Sequence, residues 1–450
     1  MPESLFGPIF VPDGFREAVS GRAWLRAMLD AEGALAVAEA RVGLIPADAA
    51  EVIAECCDAS RFDPEEIGHG ARASGNPVPP LVRALTERVS EASEEAARYV
   101  HKGATSQDIT DTAAMLVARR TLDLILAELD GTAAACARLA GEHRGTLIAG
   151  RTLLQQALPT TFGLKAAGWL VAVLEARRAV LEVCSSRLAA QLGGAAGTLA
   201  SLGSSGISVL GEFARELDLA APAVPWHTDR TRIAEVGGAL SLAAGVLGKI
   251  ALDVILMAQT EVGEVAEPAG EGRGGSSTLP HKRNPILSVT AAASVRRVQD
   301  LSRTLAGAMV QEHERAAGAW HSEWEALSGA LALTGGAAAA VREVTEGLEV
   351  HPEKMRENLD ATGGMLLAEN VTTVAAERLG RLKAHDLVQA ACRRALEEGK
   401  PLREELLDDD AFGEVLSEGE IDAALDPAGY LGSAGGFVDR ALRLYREEAS

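Results

Sequence analysis

The sequence predicts an almost all-α protein, and three observations carry that prediction. Long proline-free runs separate Pro159 from Pro222, Pro225 from Pro268, and Pro285 from Pro352. Each is rich in Ala, Leu, Val, Glu and Arg, mostly good helix formers. Within them apolar residues recur three and four apart, as at Leu240, Ala243, Leu247, Ile250 and Val254, the spacing of one helix face. Alternating Val/Ile/Thr segments with hairpin turns are nearly absent, and aromatic residues make up only 4%.

Taken in chain order, residues 1–108 read as an N-terminal helical domain. Residues 109–352 read as a long central helix bundle, because such runs exceed the usual globular helix. Residues 353–450 read as a small C-terminal helical domain with an acidic, solvated stretch from Glu404 to Glu418. At about 150 residues per domain, a chain of 450 agrees with three. The most apolar stretch, Gly238 to Gln259, carries Lys249 and Asp253, which favours a buried bundle helix over a membrane span. Glycine pairs at Gly193 and Gly194, Gly237 and Gly238, and Gly335 and Gly336 fall inside apparent helices. Each mid-helix glycine costs about 1 kcal/mol relative to Ala, so close helix approach or a helix break is the expected compensation.

Composition narrows the function. With 47% hydrophobic and 24% charged residues, the chain is globular and not disordered. Its net charge of −21 repels phosphate backbones and anionic lipid, so neither nucleic acid nor membrane is an expected partner. An anionic ligand would need a local basic pocket. The five cysteines form no CxxC or His/Cys cluster at metal spacing. A reduced, cytoplasmic setting fits them. The N-terminal residues lack a basic region followed by an apolar core, so no signal peptide is expected.

Three segments are the candidates for chemistry. Ala269 to Pro285, AGEGRGGSSTLPHKRNP, interrupts two long helices with a dense glycine run, then Ser276, Ser277 and Thr278, then Lys282, Arg283 and Asn284. On composition alone it is either a surface linker or a loop able to close over a ligand. His101 to Ala113, HKGATSQDITDTA, places Thr105 before Asp108. That pattern loosely resembles a capping box opening a helix, and the same geometry gathers hydroxyls and free N–H groups into an anion site. Gly150 to Gly163, GRTLLQQALPTTFG, reads on its own as a helix start with Thr160 as a cap.

GSSTLPHKRNP resembles the signature of the fumarase/aspartase superfamily, GSSxMPxKxNP, with Leu279 in place of Met. His101–Ala113 and Gly150–Gly163 resemble that superfamily's first and second regions. The resemblance implies removal of a proton alpha to a carboxylate and expulsion of a group from the beta carbon. Ser276 is then the general base, its alkoxide stabilised by Lys282, backbone N–H groups and a helix N-terminus. Lys282 and Asn284 are implied to hold the substrate carboxylate and the enolate-like intermediate. Thr105 and Ser106 are implied to grip a carboxylate, and Thr152 and Gln155 to contact substrate. His101 matches a family histidine, for which a packing role stays equally open. Fumarases and adenylosuccinate lyases carry a histidine where this chain has Leu153. An aliphatic side chain transfers no proton, which counts against both activities.

Pro225–Glu235 (PWHTDRTRIAE), Glu312–Glu325 (EHERAAGAWHSEWE), LFGPIF near the N-terminus and Gly75-Asn76-Pro77 resemble one bacterial branch of the superfamily. Its members close a lactone ring on an unsaturated tricarboxylate. Asp229 stands where that branch has an amide or other polar residue, and Trp226, Trp320 and Trp324 read as packing residues. Arg230 and Arg315 are attractive as substrate ligands because guanidinium matches carboxylate bidentately. With Lys282 and Arg283 they would form the cationic pocket that such a substrate needs. The resemblance further implies a homotetramer with a twenty-helix core and active sites shared between three subunits. No metal, nucleotide or organic cofactor is expected. The rival readings are another lyase of the fold, acting on a succinyl–nitrogen compound or nitrosuccinate, and a non-catalytic structural member such as a lens crystallin.

Overall fold

The computed structural model of the protein describes residues 5–270, 275, 279 and 282–449. The longer elements, in chain order, are α1 (Gly21–Arg41), α2 (Ser106–Glu142), β1 (Leu147–Thr152), β2 (Gln155–Thr161), α3 (Phe162–Ser186), α4 (Thr231–Met257), β3 (Val265–Ala266), α5 (Ile286–Gly307), α6 (Ala319–Glu346) and β4 (Glu349–Val350). The expected all-α architecture holds, with two short two-stranded sheets added. The chain forms two compact units. One comprises Met1–Asp130, Glu175–Lys249 and Thr290–Val341; the other comprises Gly131–Leu174, Ile250–Val289 and Arg342–Ser450. The division falls within α2, α3, α4, α5 and α6.

In the first unit, Ser20 caps α1 by accepting the Ala23 N–H at 3.1 Å. Leu25, Leu29 and Leu35 of α1 are buried, as are Leu81, Leu85 and Val89 on a helix nearby in sequence, Val78–Ala92. Two acids, Glu32 and Glu39, are also buried on α1. Close approach explains Gly237 in α4 and Gly335 and Gly336 in α6, and not Gly238, where a Cβ would meet nothing within 4 Å. A Cβ on Gly237 would sit 3.0 Å from Leu305 of α5. One on Gly335 would collide with the Phe15 ring, and one on Gly336 with the Phe10 carbonyl. Gly193 and Gly194, expected inside a helix, instead lie in the loop after α3, Gly194 at φ +68. Helix α4 exposes Gly238, Leu242, Gly245, Lys249 and Leu252 at helical spacing, so one largely apolar face is uncovered by the chain itself.

In the second unit, β1 and β2 form an antiparallel hairpin with an irregularity between Ala149 and Arg151. This corrects the expected helix start. Thr161, not Thr160, caps α3, accepting the Leu164 N–H at 3.1 Å. Phe162 packs edge-on against Trp169 and His143. Trp169 donates its indole N–H to Asp253 at 2.8 Å, tying α3 to α4. The strands β3 and β4 pair through Val265–Val350 and Ala266–Glu349. The C-terminal helices close on a core of their own that includes Val371, Val388, Leu402, Leu406, Phe412 and Ile421.

Candidate active site

In the first unit the site grows from the start of α2. The Thr105 N–H donates to Asp108 Oδ2 at 2.9 Å, the reciprocal half of a capping box. Thr105 and Ser106 are half-buried at that helix opening. Asp108 is fully buried and also accepts the N–H groups of Gly193 and Gly194, each at 2.9 Å. His227 Nε2 lies 2.7 Å from Asp108 Oδ1. The loop through Gly194 then offers the Ala195 carbonyl to Arg315 Nη2 at 3.1 Å. Arg315 Nε is buried with no hydrogen-bond partner among the described residues. Arg315 is thus linked to the Thr105–Ser106 helix start through the 193–195 loop and Asp108.

His101 pairs with buried Glu32, Nδ1 to Oε1 at 2.7 Å. Burial pulls its pKa down. The Glu32 carboxylate, with Asp108 and Glu39 beyond it, outweighs that pull and holds the ring above the ordinary histidine value. The ring is anchored to α1, close in sequence to Thr105.

Arg230 is not available to a substrate, which corrects its expected role. Its side chain is 1% exposed. It donates to Asp111 through Nη1 and Nη2 at 2.7 and 2.9 Å, and to Glu323 through Nε and Nη2 at 3.0 and 2.6 Å. The guanidinium also lies over the Trp226 ring, 4.9 Å from its centroid. Trp320 adds its indole N–H to Asp111 at 2.9 Å, and Gln311 donates to Glu323 at 3.0 Å. Burial raises the pKa of the Glu323 carboxyl, and Arg230 counters that rise only in part. This triad joins α2, the Trp226–Arg230 segment and α6. Trp226 and Trp320 are buried packing residues whose indole nitrogens are satisfied. Asp229 caps α4 by accepting the Thr231 N–H and hydroxyl.

In the second unit, Thr152 and Gln155 form the last rung of the hairpin and are exposed. Between them Leu153 and Leu154 make the turn, at φ 52 and 66, 97% and 75% exposed. The preceding Arg151 is clamped bidentately to buried Glu264 at 2.9 and 2.7 Å, and Asn358 donates to the same carboxylate at 3.0 Å. Ser276 lies outside the described residues. An isolated antiparallel bridge joins Gly275 to Arg283, the residues flanking its segment. Lys282 is exposed and Asn284 half-buried. Arg283, expected in the cationic pocket, is instead held by Glu349 at 2.8 and 3.0 Å. Glu267 seats its carboxylate on the start of α5, accepting from Leu287 N–H and from Ser288 N–H and hydroxyl. It thus anchors the chain just after Asn284.

The predicted residues thus fall into two groups. Thr105, Ser106, His101 and Arg315 belong to the first unit. Thr152, Gln155, Lys282 and Asn284 belong to the second. The sequence marked Asp108 only as a cap for Thr105 and did not single out His227; the partners that join them, Gly193, Gly194 and each other, are 85, 86 and 119 residues apart, and no local spacing signals them. Among the described residues no group of His, Cys, Asp or Glu is arranged to hold a metal ion.

Residues 12–299 match the family model described as lyase, and residues 364–441 match the one described as adenylosuccinate lyase C-terminus. The chain belongs to the fumarase/aspartase superfamily of lyases. It is 48% identical to the 3-carboxy-cis,cis-muconate cycloisomerase of Bradyrhizobium diazoefficiens, with 97% of each chain covered. It is 46% identical to the nitrosuccinate lyase of Streptomyces davaonensis, covering 97% of this chain and 94% of the relative. The crystal structure of 3-carboxy-cis,cis-muconate lactonizing enzyme from Pseudomonas putida matches with a TM-score of 0.95 at 43% identity, over the whole of both chains.

Proposed function

We propose that the protein is a 3-carboxy-cis,cis-muconate cycloisomerase, interconverting that tricarboxylate and 4-carboxymuconolactone in protocatechuate breakdown. The observation that carries this reading is whole-length similarity to several enzymes of that name, between 44% and 48% identical, combined with an aliphatic hairpin tip at Leu153. In the lactonizing direction one substrate carboxylate adds across a double bond and Ser276 delivers a proton to the neighbouring carbon. In reverse Ser276 removes that proton. Lys282 and Asn284 steady the doubly charged enolate-like intermediate. Thr105, Ser106 and Arg315 hold a carboxylate, and Thr152 and Gln155 contact the substrate. Arg315 and Lys282 supply the positive charge that a trianion needs on a chain of net charge −21. The chemistry calls for no cofactor.

The enzyme acts as a homotetramer whose sites draw residues from several subunits, in the cytoplasm. The uncovered apolar face of α4 supports that assembly. The second reading, nitrosuccinate lyase, is favoured by the 46% identical relative. Ultraviolet assays with 3-carboxymuconate, nitrosuccinate and adenylosuccinate separate them. Turnover of the first alone is expected, and turnover of nitrosuccinate alone would replace the proposal with its rival. Sedimentation of a fully active monomer would refute the tetramer.

A further inference from the structure

Asp108 is fully buried, yet the hydrogen-bond donors around it among the described residues are three backbone N–H groups and one imidazole. Oδ1 takes Gly193 N–H at 2.9 Å and His227 Nε2 at 2.7 Å. Oδ2 takes Thr105 N–H and Gly194 N–H, each at 2.9 Å. The donors come from three separated stretches: the start of α2, the glycine turn after α3, and the segment before α4. Four donors suit an acceptor-only carboxylate, and an amide would turn its own NH2 toward two of them. The fit is close: a Cβ on Gly193 would lie 2.7 Å from His227 Cε1, and one on Gly194 would lie 3.0 Å from the Gly103 carbonyl oxygen. One residue beyond this turn, the Ala195 carbonyl accepts from Arg315.

From this we infer that Asp108 and His227 are positioning residues that lock Arg315 and the Thr105–Ser106 helix start into one carboxylate-binding geometry. The inference rests on the proposed substrate roles of Thr105, Ser106 and Arg315. Asp108 links the two halves directly: one carboxylate holds both the amide of Thr105 and the turn that aims Ala195 at Arg315. His227 sets the orientation of the carboxylate by donating from Nε2, which requires its hydrogen on that nitrogen. A group that orients binding partners, and leaves proton transfer alone, acts on KM more than on kcat.

The test compares His227→Leu with His227→Gln in the full-length protein. Leucine removes the donor, while glutamine places an N–H near the position of Nε2. Two readouts are taken: kcat and KM with whichever of 3-carboxymuconate or nitrosuccinate the wild type turns over, and deuterium exchange in peptides covering 101–110 and 189–199. In His227→Leu, KM is expected to rise about tenfold with kcat within about threefold. Both peptides should exchange faster together. His227→Gln should restore KM and protection. An unchanged KM in a variant that only melts earlier would overturn the inference, and so would a glutamine variant no better than leucine. If His227→Leu does not fold, His227→Asn takes its place, since its amide is too short to reach Asp108. Should the wild type turn over neither acid, the substrate reading fails on its own. The exchange data then decide: loss of protection in one peptide without the other refutes the coupling, and joint loss with rescue by glutamine sustains it.

Discussion

Glu39 gives the most quantitative test of how this fold handles buried charge. It lies on α1, fully buried, with neither carboxyl oxygen hydrogen-bonded among the described residues. Burial lifts its pKa from 4.5 to about 8; Lys102 and His101 oppose the rise and Glu32 adds to it. Below pH 4.5 the folded and unfolded chains both carry the proton, and the group is neutral to stability. Between pH 4.5 and about 8 the unfolded chain releases the proton while the folded chain keeps it. Stability therefore falls as pH rises through that window, and levels off above it. At 1.36 kcal/mol per unit, the full loss is about 3–5 kcal/mol. Glu39→Gln keeps the shape and removes the titration. Urea unfolding at fixed protomer concentration from pH 5 to 9 should show the variant nearly matching wild type at pH 5. It should then gain on wild type steadily, by up to about 3–5 kcal/mol at pH 9. A stability difference that stays constant across that range would refute the assignment of Glu39 as a buried neutral acid.

Other outcomes follow from the same geometry. Leu154→Gly should stabilise the chain by about 0.5–1 kcal/mol, because glycine relieves a positive φ at some entropic cost; thermal denaturation reads it, and a lower melting point contradicts it. Arg230→Met should cost about 3–5 kcal/mol by leaving Asp111 and Glu323 buried without their cation, measured by chemical denaturation. A near-neutral result would mean that those carboxyls take up protons or water at little cost. Ser276→Ala should lower kcat about 10²–10⁴-fold with an unchanged far-ultraviolet circular dichroism spectrum. Retained turnover would remove Ser276 as the general base.

The long helices were legible because their apolar spacing and freedom from proline are local properties. The cap that Asp108 places on the Thr105 N–H was legible for the same reason: its residues are three apart. The hairpin was not. Two-residue hairpin turns usually advertise themselves with Asn-Gly or Asp-Gly, and here Leu153 and Leu154 occupy the positive-φ positions. Arg230 shows the limit for charges. Sequence reveals that a guanidinium exists, but Asp111 and Glu323, 119 and 93 residues away, decide whether it is free to bind anything. Gly193 and Gly194 looked like helix interior because their neighbours are helix formers. Only the Asp108 carboxylate, 85 residues earlier in the chain, reveals why backbone amides must be presented there.

The first compact unit is assembled from three stretches of chain, the last ending at Val341. Its opening helices, including α1, leave the ribosome about three hundred residues before Gly335 and Gly336 arrive to receive Phe15 and the Phe10 backbone. At about 5–20 residues per second, the nascent polypeptide waits roughly 15–60 s with those docking surfaces unmet. During that interval the early helices can meet only one another and the chain made so far, and the surface that Phe10 and Phe15 later cover on α6 is not yet made.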